Sequence, residues 1–215
     1  MKPALARLAV EAVDELNGDQ SAGDPDDAAL YAVAVYDRAN HELVLGRYAD
    51  TPIMSASVVK LFVIADLLHQ QEQGRIAFDT DDRERIRRAL SGSDDEAMDD
   101  LWAEFDGMHA LSQIIGLAGL RDTSLPTDSD QWGESMISAQ DTVAVYRYVL
   151  TSLDPADRDF VLSALSQPTH YGLADGFDQD FGFLAAGVRP LHVAAKQGWL
   201  GYIPYHLLHS TALLG

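Results

Sequence analysis

Ser57 and Lys60 are the residues of this sequence whose types and spacing best suit covalent chemistry. Ser57 begins a long apolar stretch, and Lys60 follows one helical turn later. Residues three apart in a helix share a face, so the amine can reach the hydroxyl. A serine hydroxyl becomes a nucleophile when a base takes its proton, and burial lowers the pKa of a lysine toward that task. The pair predicts nucleophilic catalysis; the alternative interpretation is a helix-capping serine beside a surface lysine.

Two further segments place polar side chains at the ends of predicted elements. Residues 93–95, Ser-Asp-Asp, precede a predicted helix, where a serine or aspartate most simply caps the first turn. Residues 196–198, Lys-Gln-Gly, follow the apolar residues 193–195, which favour a strand. A glycine at a strand end lets another group approach the backbone closely. Each segment alone also fits an ordinary cap or strand end.

The elements that would position these segments come from both ends of the chain. Residues 30–36 and 42–47 are β-favouring and flank the turn-like residues 37–40, which predicts a hairpin. β character returns at residues 191–195 and 205–214. Strands at both ends around a helical middle predict an α/β (α+β) fold, with an antiparallel sheet built from both chain ends and an inserted all-helical lobe.

The helical middle rests on apolar residues at helical spacing. Residues 57–73 are apolar nearly all round, so this helix is predicted to be buried on most sides. A chain of 215 residues fits one domain, with a sheet lobe of about 1–54 and 177–215 and a helical lobe of about 55–176. The predicted helices are 4–17, 57–73, 82–90, 94–105, 108–116, 138–153 and 155–165.

Taken in order, residues 57–60, 93–95 and 196–198 resemble the S-x-x-K, S-D-N and K-T-G elements of class A β-lactamases and penicillin-binding proteins. The chain is also similar to smaller actinobacterial-type serine hydrolases related to the class A enzymes, in which the third element continues into Gly-Trp, as Gly198-Trp199 does here. The resemblance implies a β-lactamase/transpeptidase-like fold, an acyl-serine hydrolase without a cofactor, and an extracytoplasmic location.

The resemblance also implies a role for each matching residue. Ser57 would be acylated and Lys60 would take part in its activation. Ser93 would relay a proton to the leaving group, and Lys196 would bind a substrate carboxylate. The oxyanion hole would come from the backbone N–H groups of Ser57 and Trp199, which need no particular side chain.

The substrate-binding residues implied in the same way are Asp95, Lys196, Gln197 and Gly198, and two of them depart from the family pattern. Asp95 replaces an asparagine, and an ionised carboxylate cannot donate the hydrogen bond that an amide gives to a substrate carbonyl. We expect Asp95 to pair instead with Lys60 or Lys196. Gln197 replaces a hydroxyl residue, so it keeps the capacity to hydrogen-bond but has a different reach. Both changes predict an altered choice of substrate.

The second half of the reaction and the end of the sheet have no matching residues. Class A β-lactamases carry a Glu-x-x-Leu-Asn element whose glutamate activates the deacylating water, and residues 120–138 contain none. Asp128, Asp130 and Glu134 are the acidic candidates there, although loop carboxylates are more often simply solvated.

The sequence ends at Gly215, before the family's last strand and helix. We expect a rearranged sheet, an edge covered by an oligomer contact or a partner chain, or a truncated product.

Composition limits the classes of partner. A net charge of −19 and a pI of about 4.4 oppose binding to nucleic acid and to anionic membranes. No apolar run is long enough to span a bilayer, and Glu11, Asp14 and Glu15 interrupt the apolar core that a signal peptide would need. His206 and His209 lie in a predicted strand without a third ligand, so no metal site is predicted.

Two functions remain open from the sequence. The first is a serine hydrolase that forms an acyl-enzyme with β-lactams or related amides and esters. The second is a catalytically impaired relative that binds peptides, cell-wall-like ligands or a partner chain, and it is motivated by Asp95, Gln197 and the early end. The substrate is expected to be a small molecule or a peptide.

Overall fold

The computed structural model describes residues 5–19, 29–188, 191–202 and 205–215. Its first helix is α1 (Leu5–Asp19), as predicted, except that Ala4 and most of the predicted linker 19–27 lie outside the described residues. The predicted hairpin follows as β1 (Ala34–Asp37) and β2 (Glu42–Leu45), antiparallel, with Ala34 opposite Leu45.

The helical middle contains every helix that the sequence predicts there, each with ends within two residues of the predicted ones. Capping side chains set several of these ends: Asp79, for example, accepts hydrogen bonds from the backbone N–H groups of Asp81 and Asp82 before the third helix. The helices are α2 (Val59–Glu72), α3 (Thr80–Ser91), α4 (Asp95–Glu104), α5 (Gly107–Ala118), α6 (Ala139–Ser152) and α7 (Pro155–Leu165).

The α2 helix is the centre of the core, as its apolar sequence predicts. Eleven of its residues are buried, and they include the charged residues Lys60 and Asp66. Burying a charge without a partner is costly, so each of these two side chains needs compensating contacts. The helices α3 to α7 contribute further side chains to the same core cluster, among them Ile86, Leu101 and Val149.

Within the described residues, the strands form three antiparallel pairs. The long hairpin of β5 (Val193–Tyr202) and β6 (Tyr205–Leu214) lies at the C-terminal end, and a short pair that the sequence did not reveal, β3 (Ile53–Met54) with β4 (Met136–Ile137), lies near the helices. Within the described ranges, no ladder of hydrogen bonds joins the hairpins β1–β2 and β5–β6.

Side-chain contacts connect these two hairpins instead. On α6, the guanidinium of Arg147 lies 4.6 Å from the ring centroid of Tyr36 in β1, and the hydroxyl of Tyr146 donates to Thr211 O in β6 at 3.2 Å. Arg38, in the β1–β2 turn, donates to Leu214 O at 2.8 Å. The α6 helix therefore supports strands from both chain ends. No helix in the described part of the chain is both long and apolar enough to cross a membrane.

Candidate active site

Ser57 lies in a tight turn immediately before α2. The preceding residue, Ala56, has a left-handed backbone with φ of +46°, and Ala56–Val58 form a single 3-10 turn. Val58 N–H donates to Ser55 O at 3.1 Å, which is the three-residue bond of that turn. The sequence prediction that α2 begins at Ser57 is therefore wrong by two residues, because the chain turns sharply before the helix starts.

The turn presents Ser57 to a cleft of about 280 Å³. The residue is only 8% exposed, so the cleft is its access to solvent. Its Oγ makes no hydrogen bond within the part of the chain that the structure describes, which leaves the hydroxyl free to meet a ligand. The cleft is lined by Ala56, Ser57, Asp95, Gln131, Trp132, Gly133, Asp175, Trp199, Leu200 and Gly201.

Lys60 is completely buried one turn behind Ser57. Its Nζ donates to Ser93 O at 2.7 Å and to Asp95 Oδ1 at 2.6 Å, and it lies 4.7 Å from the ring centroid of Trp132. Burial lowers the pKa of this lysine, and the carboxylate of Asp95 opposes that shift. The expected pairing of Asp95 thus forms with Lys60, and no direct hydrogen bond joins Lys60 to Ser57.

Ser93 lies in the short loop between α3 and α4 with a positive φ of +50°. Its Oγ accepts a hydrogen bond from Lys196 Nζ and donates to Gln179 Oε1 at 3.2 Å. The neighbouring Asp94, and not Ser93, caps α4 by accepting from Ala97 N–H at 3.1 Å. The unusual backbone of Ser93 therefore places its hydroxyl and its carbonyl oxygen between the two buried lysines.

Lys196 is fully buried in the middle of β5. The sequence places a strand end at residue 195, and this is wrong: β5 continues through residues 196–198 to Tyr202. Besides Ser93 Oγ, its Nζ donates to Gln197 O at 2.8 Å. Burial is the main cause that places the pKa of Lys196 well below its usual value, and the charge of Lys60 adds to it. Lys196 does not line the cleft.

The next two residues of β5 support the site from behind. Gln197 donates to Gln179 O at 3.1 Å and to Phe181 O at 2.6 Å, so its amide anchors the loop that precedes β5. Gln197 does not line the cleft. Its Oε1 is buried without a hydrogen-bond partner. A Cβ on Gly198 would lie 3.2 Å from the backbone nitrogen of Val58, so the glycine lets β5 pack directly on the Ser57 turn.

Trp199 forms a wall of the cleft with the loop before β5. Its indole stacks on Phe177, with ring centroids 4.9 Å apart, and its Nε1 donates to Asp175 Oδ2 at 2.8 Å. Because Gly198 packs on the Ser57 turn, the backbone of Trp199 lies next to that turn as well. The arrangement is compatible with the expected oxyanion donors, Ser57 and Trp199, and their role stays a prediction.

Three residues around the site were not identified from the sequence: Trp132, Asp175 and Gln179. Trp132 covers Lys60 and donates from its indole to Asp99 Oδ1 at 2.7 Å. Gln179 bonds Ser93 across 86 residues of sequence. No local pattern marks such contacts, because they depend on how distant loops meet. The one available signal was an isolated tryptophan, at position 132, in a loop rich in Asp, Ser and Gly.

The acidic loop residues lie beside the cleft but do not line it. Asp128 and Asp130 are exposed, and the cleft is lined instead by the residues between Asp130 and Glu134. Their role as a deacylation base remains a prediction. His209 Nε2 lies 2.7 Å from Met54 O, and burial lowers the pKa of this histidine.

One surface group has the composition of a metal site. His170, Asp178 and Asp180 bring their ligand atoms within 4.8 Å of one another. His170 Nδ1 lies 2.8 Å from Asp180 Oδ2, as in an ordinary surface ion pair. Clusters of this kind are common without a metal, and nothing else in the described residues points to a ligand there.

The arrangement as a whole provides parts for acyl transfer. It has a free serine hydroxyl in a cleft, a buried amine one turn behind it, and a second hydroxyl, that of Ser93, bonded to a second buried amine, that of Lys196. Burial lowers the pKa of both amines, so the neutral form that can accept a proton is easier to reach than in an exposed lysine.

Sequence comparison finds relatives of this chain in two mycobacteria. No family model matches the sequence. Proteins named "Putative lipoprotein LppW" from Mycobacterium bovis and Mycobacterium tuberculosis are 35% identical over 191 residues, which is 87% of this chain and 60% of the relative. The chain thus spans about 60% of the length of the curated relatives it matches.

The solved structures that match this chain have similar folds. A β-lactamase from Chitinophaga pinensis matches with a TM-score of 0.77 at 14% identity, over 98% of this chain and 85% of that one. A class A β-lactamase from Mycobacterium abscessus matches with a TM-score of 0.68 at 19% identity, over 88% and 79%. A PBP-A mutant solved as its acyl-enzyme complex with penicillin G matches with a TM-score of 0.64 at 15% identity, over 89% and 77%.

Proposed function

Because the chain has the β-lactamase/transpeptidase-like fold, we propose that it is a serine hydrolase in which Ser57 forms an acyl-enzyme with β-lactams or related amides and esters. One observation carries the proposal. The Ser57 hydroxyl faces a cleft, and directly behind it Ser93 is bonded to the two buried lysines, Lys60 and Lys196.

Acylation follows from these positions. The reaction starts from the neutral form of Lys60, which burial favours and the ion pair with Asp95 opposes. Ser57 Oγ then attacks the substrate carbonyl carbon, its proton passes to the amine of Lys60, and the carbonyl oxygen becomes an oxyanion. The C–N or C–O bond then breaks, and the leaving group takes a proton from Ser93 Oγ. Ser93 regains a proton from Lys196, which already donates to it. Backbone N–H groups of Ser57 and Trp199 stabilise the oxyanion.

Deacylation is expected to be slow. A water must lose a proton to attack the acyl carbon, and the two carboxylates that line the cleft are both engaged: Asp95 with Lys60, and Asp175 with the indole of Trp199. A carboxylate held in this way is a poor general base. The acyl-enzyme should therefore accumulate and appear as a burst of about one product per protein before slow turnover.

The relatives' name supports a location outside the cytoplasm. A lipoprotein is a membrane-anchored protein, and the "Putative lipoprotein LppW" proteins match 87% of this chain. On that basis we propose an extracytoplasmic location for this protein. We also propose that residues 1–215 form a single domain. A further part of the proposal is an oligomer contact or a partner chain at the C-terminal strands.

Intact-mass measurement after incubation with two probes tests the proposal. One probe is a fluorescent penicillin and the other is a neutral p-nitrophenyl ester, so that the result does not depend on substrate charge. We expect the mass of one acyl group on the wild type, mapped to Ser57, and none on Ser57→Ala. The absence of an adduct with both probes, or an adduct that persists in Ser57→Ala, would exclude Ser57 as the nucleophile.

A second candidate function is ligand binding without turnover. It is favoured by the ion pair that holds Lys60 Nζ on Asp95 and away from Ser57. If the pair never releases, the cleft binds ligands but Ser57 is not acylated. Equal affinity of wild type and Ser57→Ala for a ligand, together with no adduct, would support this alternative.

A further inference from the structure

We infer that the Ser57 cleft selects acyl substrates that carry a positive charge, such as a protonated or quaternary amine, over substrates that carry a carboxylate. This inference rests on the proposed function, because it names the substrate class of the same site. It differs from the expectation, drawn from sequence resemblance, that Lys196 binds a substrate carboxylate.

The lining of the cleft is acidic and aromatic. Of the described residues that line it, the ionisable ones are Asp95 and Asp175, and none is a lysine or an arginine. Two indoles, those of Trp132 and Trp199, form walls of the same space. One face of each ring is already covered, by Lys60 over Trp132 and by Phe177 on Trp199, so the carboxylates supply the main attraction for a cation. The other ring faces can add to it, because the ring quadrupole is negative over its face.

The two lysines near the cleft do not offset this character. Lys60 is fully buried and its charge is paired with Asp95, which lies between Lys60 and the solvent with its side chain 48% exposed. Lys196 has no exposed surface, and its Nζ is occupied by Ser93 Oγ and Gln197 O. A ligand carboxylate in the cleft therefore finds no free ammonium group to bind.

Asp175 keeps an uncompensated charge at the edge of the cleft. Its two carboxylate oxygens accept from neutral donors, the indole of Trp199 at 2.8 Å and the backbone N–H of Phe177 at 3.0 Å. The residue is exposed, and no ion pair to it occurs in the described part of the chain. Hydrogen bonds from neutral donors fix the orientation of this carboxylate but do not compensate its negative charge.

A second, larger cavity extends the acidic surface. It has a volume of about 620 Å³ and shares Asp95 with the Ser57 cleft. Its one basic lining residue, Arg88, is already bonded to Asp94 at 2.7 Å. The remaining lining carboxylates increase the negative potential around the cleft mouth, which concentrates cations there and repels anions. This cavity is lined by Arg88, Asp94, Asp95, Glu96, Asp99, Leu173 and Ala174.

Three matched p-nitrophenyl esters test the inference. The first has a trimethylammonium group at the end of a butanoyl chain, the second replaces that group with tert-butyl, and the third replaces it with a carboxylate. Acylation rate constants are divided by the spontaneous hydrolysis rate of each ester. We expect the cation to react at least about tenfold faster than the anion in dilute buffer, with a smaller ratio when salt screens the charges.

Two variants locate the effect. Asp175→Asn should lower the cation-to-anion ratio several-fold, because it removes the uncompensated carboxylate. Asp178→Asn makes the same change three positions along the same exposed loop, outside the cleft lining, and should leave the ratio unchanged. A ratio near one in the wild type, or a ratio that Asp175→Asn does not lower, would overturn the inference.

A binding measurement separates this inference from the proposed function. In Ser57→Ala, which cannot be acylated, butyltrimethylammonium and butyrate are titrated against the fluorescence of the tryptophans that line the cleft. We expect saturable binding of the cation that weakens in the double variant Ser57→Ala/Asp175→Asn, and no saturable binding of butyrate. If no ester acylates Ser57 but the cation binds, the proposed function fails and the selectivity stands. If butyrate binds as well as the cation, the selectivity fails.

Discussion

Asp95 is the residue whose replacement should reveal most about Lys60. Its carboxylate stabilises the ammonium form of Lys60 and so works against the lowering of the pKa by burial. In Asp95→Asn that stabilisation is lost, and the pKa of Lys60 should fall further. In the proposed mechanism the neutral amine accepts the Ser57 proton, so the rising limb of the acylation rate with pH should move to lower pH.

The measurement is the pH profile of acylation by the neutral ester, for the wild type and Asp95→Asn. The control is Glu96→Gln, which removes the adjacent carboxylate in α4 that makes no bond to Lys60. Its profile should coincide with that of the wild type. A limb that stays in place in Asp95→Asn, or moves to higher pH, would show that Lys60 is not the base.

Residue types alone identified the Ser57 part of the site, but not the contacts that complete it. The sequence predicts that Asp95 pairs with Lys60 or Lys196, because a buried ammonium group needs a partner, and in the structure the pair forms with Lys60. The hydrogen bond from Ser93 to Gln179 could not be foreseen, since nothing in residues 170–180 indicates which side chain faces inward. The roles of these residues in catalysis stay predictions.

At the scale of elements, the packing of β5 on the Ser57 turn depends on Gly198. In Gly198→Ala the new Cβ would lie 3.0 Å from Val58 Cγ2 and 3.2 Å from Ser55 O. The turn would have to move, which should cost about 1–3 kcal/mol of stability. Acylation of Ser57 should slow by about a hundredfold, since small displacements of reacting groups have effects of that size.

Gly201→Ala is the matched control in the same strand. Its Cβ would meet nothing closer than His206 Nδ1 at 3.8 Å, which is an ordinary contact. Thermal unfolding should therefore show a lower melting temperature for Gly198→Ala and an unchanged or slightly higher one for Gly201→Ala. Equal melting temperatures for the two variants would contradict the packing described here.

The α2 helix contains a second buried charge, Asp66, that is only half satisfied. Its Oδ2 accepts from Gln70 Nε2 at 2.6 Å, whereas Oδ1 has no partner among the described residues. Burial raises the pKa of Asp66 above its ordinary value of 3.8. The folded state thus keeps a proton that the unfolded state has lost, so this residue makes stability fall as pH rises from about 4 through the raised pKa.

Asp66→Asn should remove that pH dependence and stabilise the protein by about 1 kcal/mol above the raised pKa, because it eliminates a buried charge. Asp157→Asn is the contrasting variant: Asp157 is also buried but accepts from Arg83 at 2.7 Å, so its loss should destabilise the protein by about 1 kcal/mol. Urea unfolding from pH 4 to 8 measures both. Asp66→Asn less stable than the wild type at pH 8 would contradict the argument.

Element boundaries were predictable where capping residues mark them and were missed where the backbone is unusual. The sequence placed α4 and α6, whose first turns are capped by Asp94 and Ser138, within one residue of their observed ends. It ended β5 too early, because the glycines at 198 and 201 weaken the strand pattern although they are needed for close packing. The two-residue strands β3 and β4 are too short to give any periodic signal.

At the scale of the whole molecule, both the fold class and the acidity were predictable from sequence. The alternation of strands, helices and strands along the chain indicated the mixed fold, and the three motifs indicated the β-lactamase/transpeptidase-like type. How the two hairpins lie against α6 was not predictable, since it depends on Arg147, Tyr146 and Arg38, whose contacts span most of the chain.

The acidity has a consequence for stability. Thirty-four Asp and Glu residues face fifteen Lys and Arg residues, so many carboxylates have no partner of opposite charge. Local networks exist, such as Arg85 with Asp82, Asp100 and Glu104, but exposed ion pairs of this kind contribute little each. Repulsion among the excess carboxylates is greatest in the compact state and should destabilise it when salt is scarce.

We therefore expect the melting temperature at pH 7.5 to rise by several degrees between about 10 and 500 mM sodium chloride, as the screening length falls below the spacing of surface charges. Most of the rise should occur below about 200 mM, because screening saturates whereas exclusion of salts from the surface does not. Potassium chloride should give the same curve, since screening depends on ionic strength and not on the cation. A melting temperature that falls with salt would mean that attraction within the ion-pair networks outweighs the repulsion of the net charge.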